Sequence, residues 1–238
     1  MKPRLLLLDV ETAPAVVYTW SLHDVSIGIE QVIKPSRVIC WAAKWHGEKG
    51  ITYRDERGGK RKMFVEMREL LTLADAVITF NGDHFDLQKL NGEFVFHRIP
   101  PAPPVTSIDL FKTVKGLGYI SGKLAFIGPH LKIGEKIKHE GFSLWAACLK
   151  GDKKAWERMR LYNCQDTELL EGLYNRLKPF IKNHPYLGKG GIECPACQSK
   201  RGESRGTRRT RNYIIQRLQC RDCGSWYSGK QQAYSRAA

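Results

Sequence analysis

Four consecutive leucines, Leu5 to Leu8, run into Asp9-Val10-Glu11. A short apolar run of this kind predicts a strand over Arg4 to Asp9, buried on both faces. Apolar runs over Arg37 to Trp45 and Gly50 to Arg54 flank His46-Gly47-Glu48-Lys49, which has the composition of a hairpin turn. The period then changes. Met63, Met67, Leu70 and Leu71 predict a helix over Met63 to Leu73, Ala76 to Phe80 reads as a short strand, and Phe85 to Phe96 returns to helical spacing until the proline-rich link Pro100 to Pro104. Val105 to Leu110 reads as a fifth strand, and Ser121 to Leu131 and Ser143 to Lys150 as short helices. Asp152 is a good N-cap for a long helix reaching Ile181, softly interrupted at Gly172 and Pro179. Strands first, then strands alternating with helices, predict an α/β domain around a mixed sheet.

With 238 residues, 42% of them apolar, the chain can form one domain of moderate size plus a small appendage. We expect the first over residues 1–184 and the second over 185–238, beginning with a linker from His184-Pro185 through Gly188, Gly190 and Gly191. Leu5 to Leu8 is too short to cross a membrane, and the residues around it do not form a signal peptide, so an intracellular, cytoplasmic or nucleoid-associated protein without a membrane partner is expected. Net charge is +15, which favours a polyanionic partner. Residues 185–238 are the more basic part, with eight arginines and three lysines against Glu193, Glu203 and Asp222.

Asp9 and Glu11 are i and i+2 on a strand and therefore aim two carboxylates at one spot. A buried pair of acids is costly, and hard oxygen ligands suit Mg²⁺ or Mn²⁺; the alternative is that the strand ends at Leu8 and both acids are solvated. Further acids would have to converge. Asp86 follows a strand in Thr79-Phe80-Asn81-Gly82-Asp83-His84-Phe85-Asp86, where a helix would start at the carboxyl edge of the sheet. Tyr162 and Asp166 are i and i+4 on the long helix and share a face. Asp109 reads as a helix N-cap in preference to a site acid, and His84 as exposed.

In order and spacing, Asp9-x-Glu11, Asn81-x-x-x-Phe85-Asp86 and Tyr162-x-x-x-Asp166 resemble the three motifs of the DEDDy 3′-to-5′ exonucleases, the type found in family-B DNA polymerase proofreading domains. The resemblance spans residues 4 to 178. It implies an RNase H-like fold, a five-stranded mixed sheet with flanking helices, and hydrolysis assisted by two Mg²⁺ or Mn²⁺ ions held by Asp9, Glu11, Asp86 and Asp166. Tyr162 would orient the attacking water; with a phenol pKa of about 10 it is a poor base at neutral pH. The sister subgroup has histidine five positions before the last aspartate, where this chain has Leu161. Thr12, Asn81 and Phe85 are candidates for gripping the terminal nucleotide.

Cys194-x-x-Cys197 and Cys220-x-x-Cys223 are two knuckles able to offer four thiolates to one Zn²⁺. They resemble a zinc ribbon, although the 22 intervening residues slightly exceed the usual spacing of about 15–20. Tyr213 to Leu218 reads as a strand between them. Lys200, Arg201, Arg205, Arg208, Arg209 and Arg211 are expected in a loop, with Trp226 and Tyr227 after the last cysteine. Cations and rings together suit sequence-tolerant binding of single strands.

The expected function is thus 3′-to-5′ exonuclease action on DNA, with a single-stranded 3′ end favoured. RNA is an alternative substrate and a replication or repair protein an expected partner. A structure-selective endonuclease and an inactive nucleic-acid-binding adaptor are the competing expectations.

Overall fold

The computed structural model describes residues 3–137, 140–182, 184–187 and 192–233. Gly188, Gly190 and Gly191, part of the expected linker, lie outside the described residues. Contacts divide the chain into two compact units, Arg4–Leu173 and a second beginning at Tyr174. The division falls inside the long helix, upstream of the linker.

In the first unit the strands are β1 (Leu5–Ala13), β2 (Val16–Val17), β3 (Val32–Lys34), β4 (Arg37–Trp45), β5 (Ile51–Asp55), β6 (Ala76–Thr79) and β7 (Thr106–Asp109). The helices are α1 (Lys60–Thr72), α2 (Asp86–Phe96), α3 (Leu110–Lys115), α4 (Leu124–His130), α5 (Phe142–Leu149) and α6 (Lys153–Leu177), the last continuing into the second unit. The main sheet has the order β5-β4-β1-β6-β7. Antiparallel pairing joins β5, β4 and β1, and parallel pairing joins β1, β6 and β7. A mixed five-stranded sheet therefore forms, with β1 at its centre. Central position explains the leucine run, because a strand paired on both sides and covered on both faces has no solvated side.

Alternation along β1 and β4 supplies both faces. Leu6, Leu8, Val10, Val38 and Trp41 pack with Met63, Phe64 and Met67 of α1 and Leu90 and Phe94 of α2. Ala13, Ile39 and Cys40 pack on the other side with Leu144 and Cys148 of α5 and Trp156, Met159 and Tyr162 of α6. Full burial of a leucine such as Leu7 or Leu8 contributes about 1.5–3 kcal/mol. Asp152 caps α6, its Oδ1 accepting from the backbone N–H of Lys154 at 2.8 Å. The helix stops at Leu177, ahead of the expected Ile181, because Pro179 cannot donate to a helical carbonyl; Lys178–Phe180 tighten into a 3₁₀ turn instead.

The second unit contains a three-stranded antiparallel sheet of β8 (Gly202–Arg209), β9 (Tyr213–Cys220) and β10 (Trp226–Ala233), in the order β10-β9-β8. Here the structure corrects the sequence. The arginine-rich stretch read as a loop is mostly strand β8, paired with β9 from Gly202↔Cys220 to Arg209↔Ile214. Its charged residues hid the pattern, since an edge strand exposed on both sides shows no apolar alternation. Among the described residues no helix is long and apolar enough to cross a membrane.

Candidate active site

The strand β1 does not end at Leu8. It continues to Ala13, so the expectation of a strand closing at Asp9, and the alternative in which both acids are solvated, are replaced by two carboxylates held on a sheet. Strand alternation places Asp9 and Glu11 on the face opposite Leu6, Leu8 and Val10. A register shift between Glu11 and Thr12 marks a bulge there, a device that re-aims side chains beside functional sites.

Helix α6 brings the third acid. Asp166 is 2% exposed, and oxygen atoms of Asp9, Glu11 and Asp166 all lie within 4.8 Å of one another. Asp86 sits apart from this compact set, in the first turn of α2, where its Oδ1 accepts from the backbone N–H of Val10 at 3.0 Å. The turn before it is tightly specified. Asn81 adopts a left-handed conformation with φ 68°, and a Cβ on Gly82 would stand 2.3 Å from Thr79 Oγ1. Asp109 pins the turn: its Oδ1 accepts from Asn81 N at 2.7 Å and from Phe111 N at 3.0 Å, so it caps α3 and holds the Asp86 loop together. His84 is exposed, and Phe85 is 37% exposed beside Asp86.

Two polar residues near the acids escaped the sequence reading. Lys136 Nζ lies 2.5 Å from Asp166 Oδ2 and 3.0 Å from the Tyr162 hydroxyl, to which it donates. Nothing local distinguishes it from the neighbouring Lys132, and only the fold brings it in. Asn163 Nδ2 donates to Asp9 Oδ2 at 2.6 Å. Its spacing of three from Asp166 on the same helix was a usable signal. Tyr162 is buried, edge-on to Trp145 with ring centroids 5.9 Å apart.

The electrostatics are those of crowded, desolvated acids. Burial, followed by repulsion from Glu11, Asp86 and Asp166, raises Asp9 well above the ordinary carboxyl range. Burial pushes Glu11 up to about 8, with Asp166 the next contributor. Burial also raises Asp86 to about 7 against the Val10 N–H that favours its charged form. The Tyr162 phenol is raised, first by burial and then by Asp166. Asp166 keeps Lys136 protonated despite its burial. A single ammonium does not neutralise this set. Clustered hard oxygens with excess negative charge fit a divalent cation such as Mg²⁺ or Mn²⁺.

Raised carboxyl pKa values make metal binding compete with protons. For an acid whose folded pKa exceeds its unfolded value, the native state binds more protons between the two, so stability falls as pH rises from about 4 towards 8. A cation replacing those protons relieves the repulsion, and does so more tightly as pH rises. The increase in melting temperature on adding Mg²⁺ to the metal-free chain is expected to be larger at pH 8 than at pH 6. Equal increases would separate Glu11 and Asp86 from metal binding.

In the second unit the sulfurs of Cys194, Cys197, Cys220 and Cys223 lie within 4.8 Å of one another. The Cys194–Cys223 and Cys197–Cys220 distances are 3.6 Å and 3.5 Å. Metal–sulfur bonds of about 2.3 Å give a tetrahedral edge of about 3.8 Å, so the four thiols suit one tetrahedral ion. Burial raises Cys194 to about 11, whereas the backbone N–H groups of Cys223 and Asp222 outweigh burial at Cys220 and bring it to about 7. Arg208 and Arg209 stand exposed on β8, and Arg211 in the turn that follows. Trp226 opens β10, 52% exposed, with the Arg217 guanidinium 5.9 Å over its ring.

Among known protein families, the model of the RNase_H superfamily aligns with residues 29–178. That span contains Asp86, Tyr162 and Asp166, while Asp9 and Glu11 precede it on β1. No curated protein matches the chain. The expected RNase H-like architecture, a five-stranded mixed sheet with flanking helices, is the one observed. A family match over more than half of the chain, joined to this sheet, places the protein in the RNase H superfamily.

Proposed function

We propose that this protein is a metal-dependent 3′-to-5′ exonuclease that releases nucleoside 5′-monophosphates from single-stranded DNA ends. The observation that carries the reading is the convergence of Asp9, Glu11 and Asp166 within 4.8 Å, with Tyr162 one helical turn from Asp166. Asp9, Glu11, Asp86 and Asp166 would hold two Mg²⁺ or Mn²⁺ ions, which when bound supply charge neutralisation at the phosphate and a more acidic attacking water. The chain's own groups do the rest. The raised pKa of Tyr162 keeps its phenol protonated, which suits positioning of the water and not proton abstraction. Lys136 fixes that hydroxyl and offsets part of the carboxylate charge. Asn163 orients Asp9.

A cavity of about 620 Å³ beside Asn81 is lined by Phe80, Phe111 and Tyr119 together with Lys115 and Lys123. Rings and ammonium groups in one concavity suit a terminal base and its phosphate. Thr12 and Phe85 flank the carboxylates and complete the grip. The cysteine cluster holds a structural Zn²⁺, and the exposed arginines of β8 together with Trp226 add a sequence-tolerant hold on the strand. DNA in preference to RNA rests on the resemblance to family-B proofreading domains.

The test is a time course with Mg²⁺ on a 5′-labelled single-stranded DNA, resolved at single nucleotides beside an RNA of the same sequence. A descending DNA ladder is expected. A ladder on RNA alone transfers the activity to RNA, internal cuts make the enzyme an endonuclease, and no product from either overturns the enzymatic reading.

A further inference from the structure

A cavity of about 740 Å³ in the first unit does not lie in the carboxylate cluster. It runs along the outer side of α2, between that helix, the start of α1 and the segment joining β3 to β4. This is the side of the sheet covered by α1 and α2, whereas Asp9 and Glu11 face α6. The cavity nevertheless begins at His84 and Phe85, directly before Asp86, so it leads away from the reaction centre around the end of the sheet. Its volume is within the range of about 300–1,000 Å³ typical of ligand sites.

Its lining combines cations with open rings. Lys34 is exposed at one wall, Lys60 at another, and Lys89 Nζ stands 5.9 Å over the Phe85 ring. Phe96 is 79% exposed at the far end. The acid in the lining, Glu93, is turned inward: its Oε1 accepts from the backbone N–H of Val38 at 2.8 Å and its Oε2 is 3.6 Å from His97 Nε2. Arg37 and Lys60 share the single carboxylate of Glu56, at 2.9 Å and 3.4 Å. The groove thus presents net positive charge with rings spaced along it. An acidic peptide would be matched in charge but not by flat exposed rings at both ends of α2, whereas phosphates and unstacked bases match both.

We propose that this groove is a second nucleic-acid subsite, which binds the single strand several nucleotides upstream of the end being cleaved. The proposal rests on the nuclease reading of the neighbouring carboxylates and extends it to substrate length. Lys34 and Lys89 contact phosphates and Phe96 stacks with a base, while Phe85 marks where the groove meets the terminal-nucleotide grip.

The experiment measures binding of the full chain to a fluorescent single-stranded oligonucleotide across a salt series, with no divalent cation added so that turnover is not needed for the readout. In Lys34→Ala/Lys89→Ala, loss of two phosphate contacts is expected to flatten the plot of log affinity against log salt by about 1.4. Phe96→Ala leaves every charge in place; its affinity should fall about 5-fold or more with the slope unchanged. These three side chains lie at the surface or its edge and are not part of the packed core. If the unmodified chain binds and both variants match it in affinity and slope, the groove is overturned while the nuclease reading stands. If the unmodified chain does not bind the oligonucleotide, both readings fall together.

Discussion

Asp9→Asn is expected to abolish the proposed cleavage and, in the metal-free chain, to leave the melting temperature equal or higher. The loss follows from the position of Asp9, which is one of three acids converging within 4.8 Å and is hydrogen-bonded through Oδ2 to Asn163. Removing one carboxylate from a cation site forfeits several kcal/mol of transition-state stabilisation, and each 1.36 kcal/mol is tenfold in rate, so a fall of about 10³-fold or more is expected. The stability effect has the opposite sign. Burial and three neighbouring acids hold the Asp9 carboxyl far above its ordinary pKa, so at neutral pH it opposes folding unless a cation is bound. A neutral amide removes that opposition. The Mg²⁺-induced rise in melting temperature is expected to disappear at the same time, and binding of single-stranded DNA to be largely retained. Melting curves with and without Mg²⁺, set beside turnover on a labelled oligonucleotide, read all three quantities. Undiminished turnover would falsify the assignment of Asp9 to the metal site.

Cys220→Ser is expected to unfold the sheet of the second unit while leaving the first unit intact. The buried centre of the second unit is small, and the metal-ligand candidates are part of it: Cys194, Ala196 and Cys220 cluster together, with Cys197, Cys223 and Tyr227 against them. Ile215 and Leu218 add further burial at about 1.5–3 kcal/mol each. Against backbone ordering costs of about 1–2 kcal/mol per residue, so small a core does not hold three strands. A structural Zn²⁺ contributes about 10–16 kcal/mol in comparable small sites at neutral pH, and loss of one thiolate removes most of it. Amide spectra should show residues 192–233 collapsing to unfolded positions and those of 4–173 unchanged. Affinity for single-stranded DNA is expected to fall, because Arg208, Arg209 and Trp226 lose their common sheet, with the rate at saturating substrate preserved. Native dispersion of 192–233 in a metal-free sample would remove zinc from the account.

The strands and helices that carry the candidate site were legible because their signals are local. The alternation Leu8, Val10 against Asp9, Glu11 needs only a period of two, and Tyr162 and Asp166 need only a helical turn. The β4–β5 hairpin was readable from a Gly-containing turn between two apolar runs, and Gly47 adopts the positive φ that such a turn uses. What misled was a strand whose pattern is not apolar. Gly202–Arg209 pairs along one side with β9, and its arginines are solvated, so neither hydrophobic period marks it. The end of β1 was misplaced for a related reason: acids normally signal solvent, and here they are held on the sheet beside Asp166.

By itself, then, the sequence determined which residues could act together: two carboxylates on one face of a strand, a tyrosine and an aspartate on one face of a helix, two pairs of thiols at ligand spacing. Periodicity and short-range spacing are properties of a few neighbouring residues, so they survive in the linear chain. Only the tertiary structure decided that Asn163, 154 positions from Asp9, would hold its carboxylate, that Lys136 would enter among the acids, and that Asp86 would stay outside the tightest set, on the Val10 amide. Those outcomes depend on how α6 packs over the sheet, on the contacts of residues 133–136 with α6, and on a turn pinned by Asp109 from the next strand. Burial did the remaining work. In water Asp9, Glu11 and Asp86 would titrate normally, and it is their removal from water beside other acids that raises their affinity for protons and suits the cluster to a divalent cation.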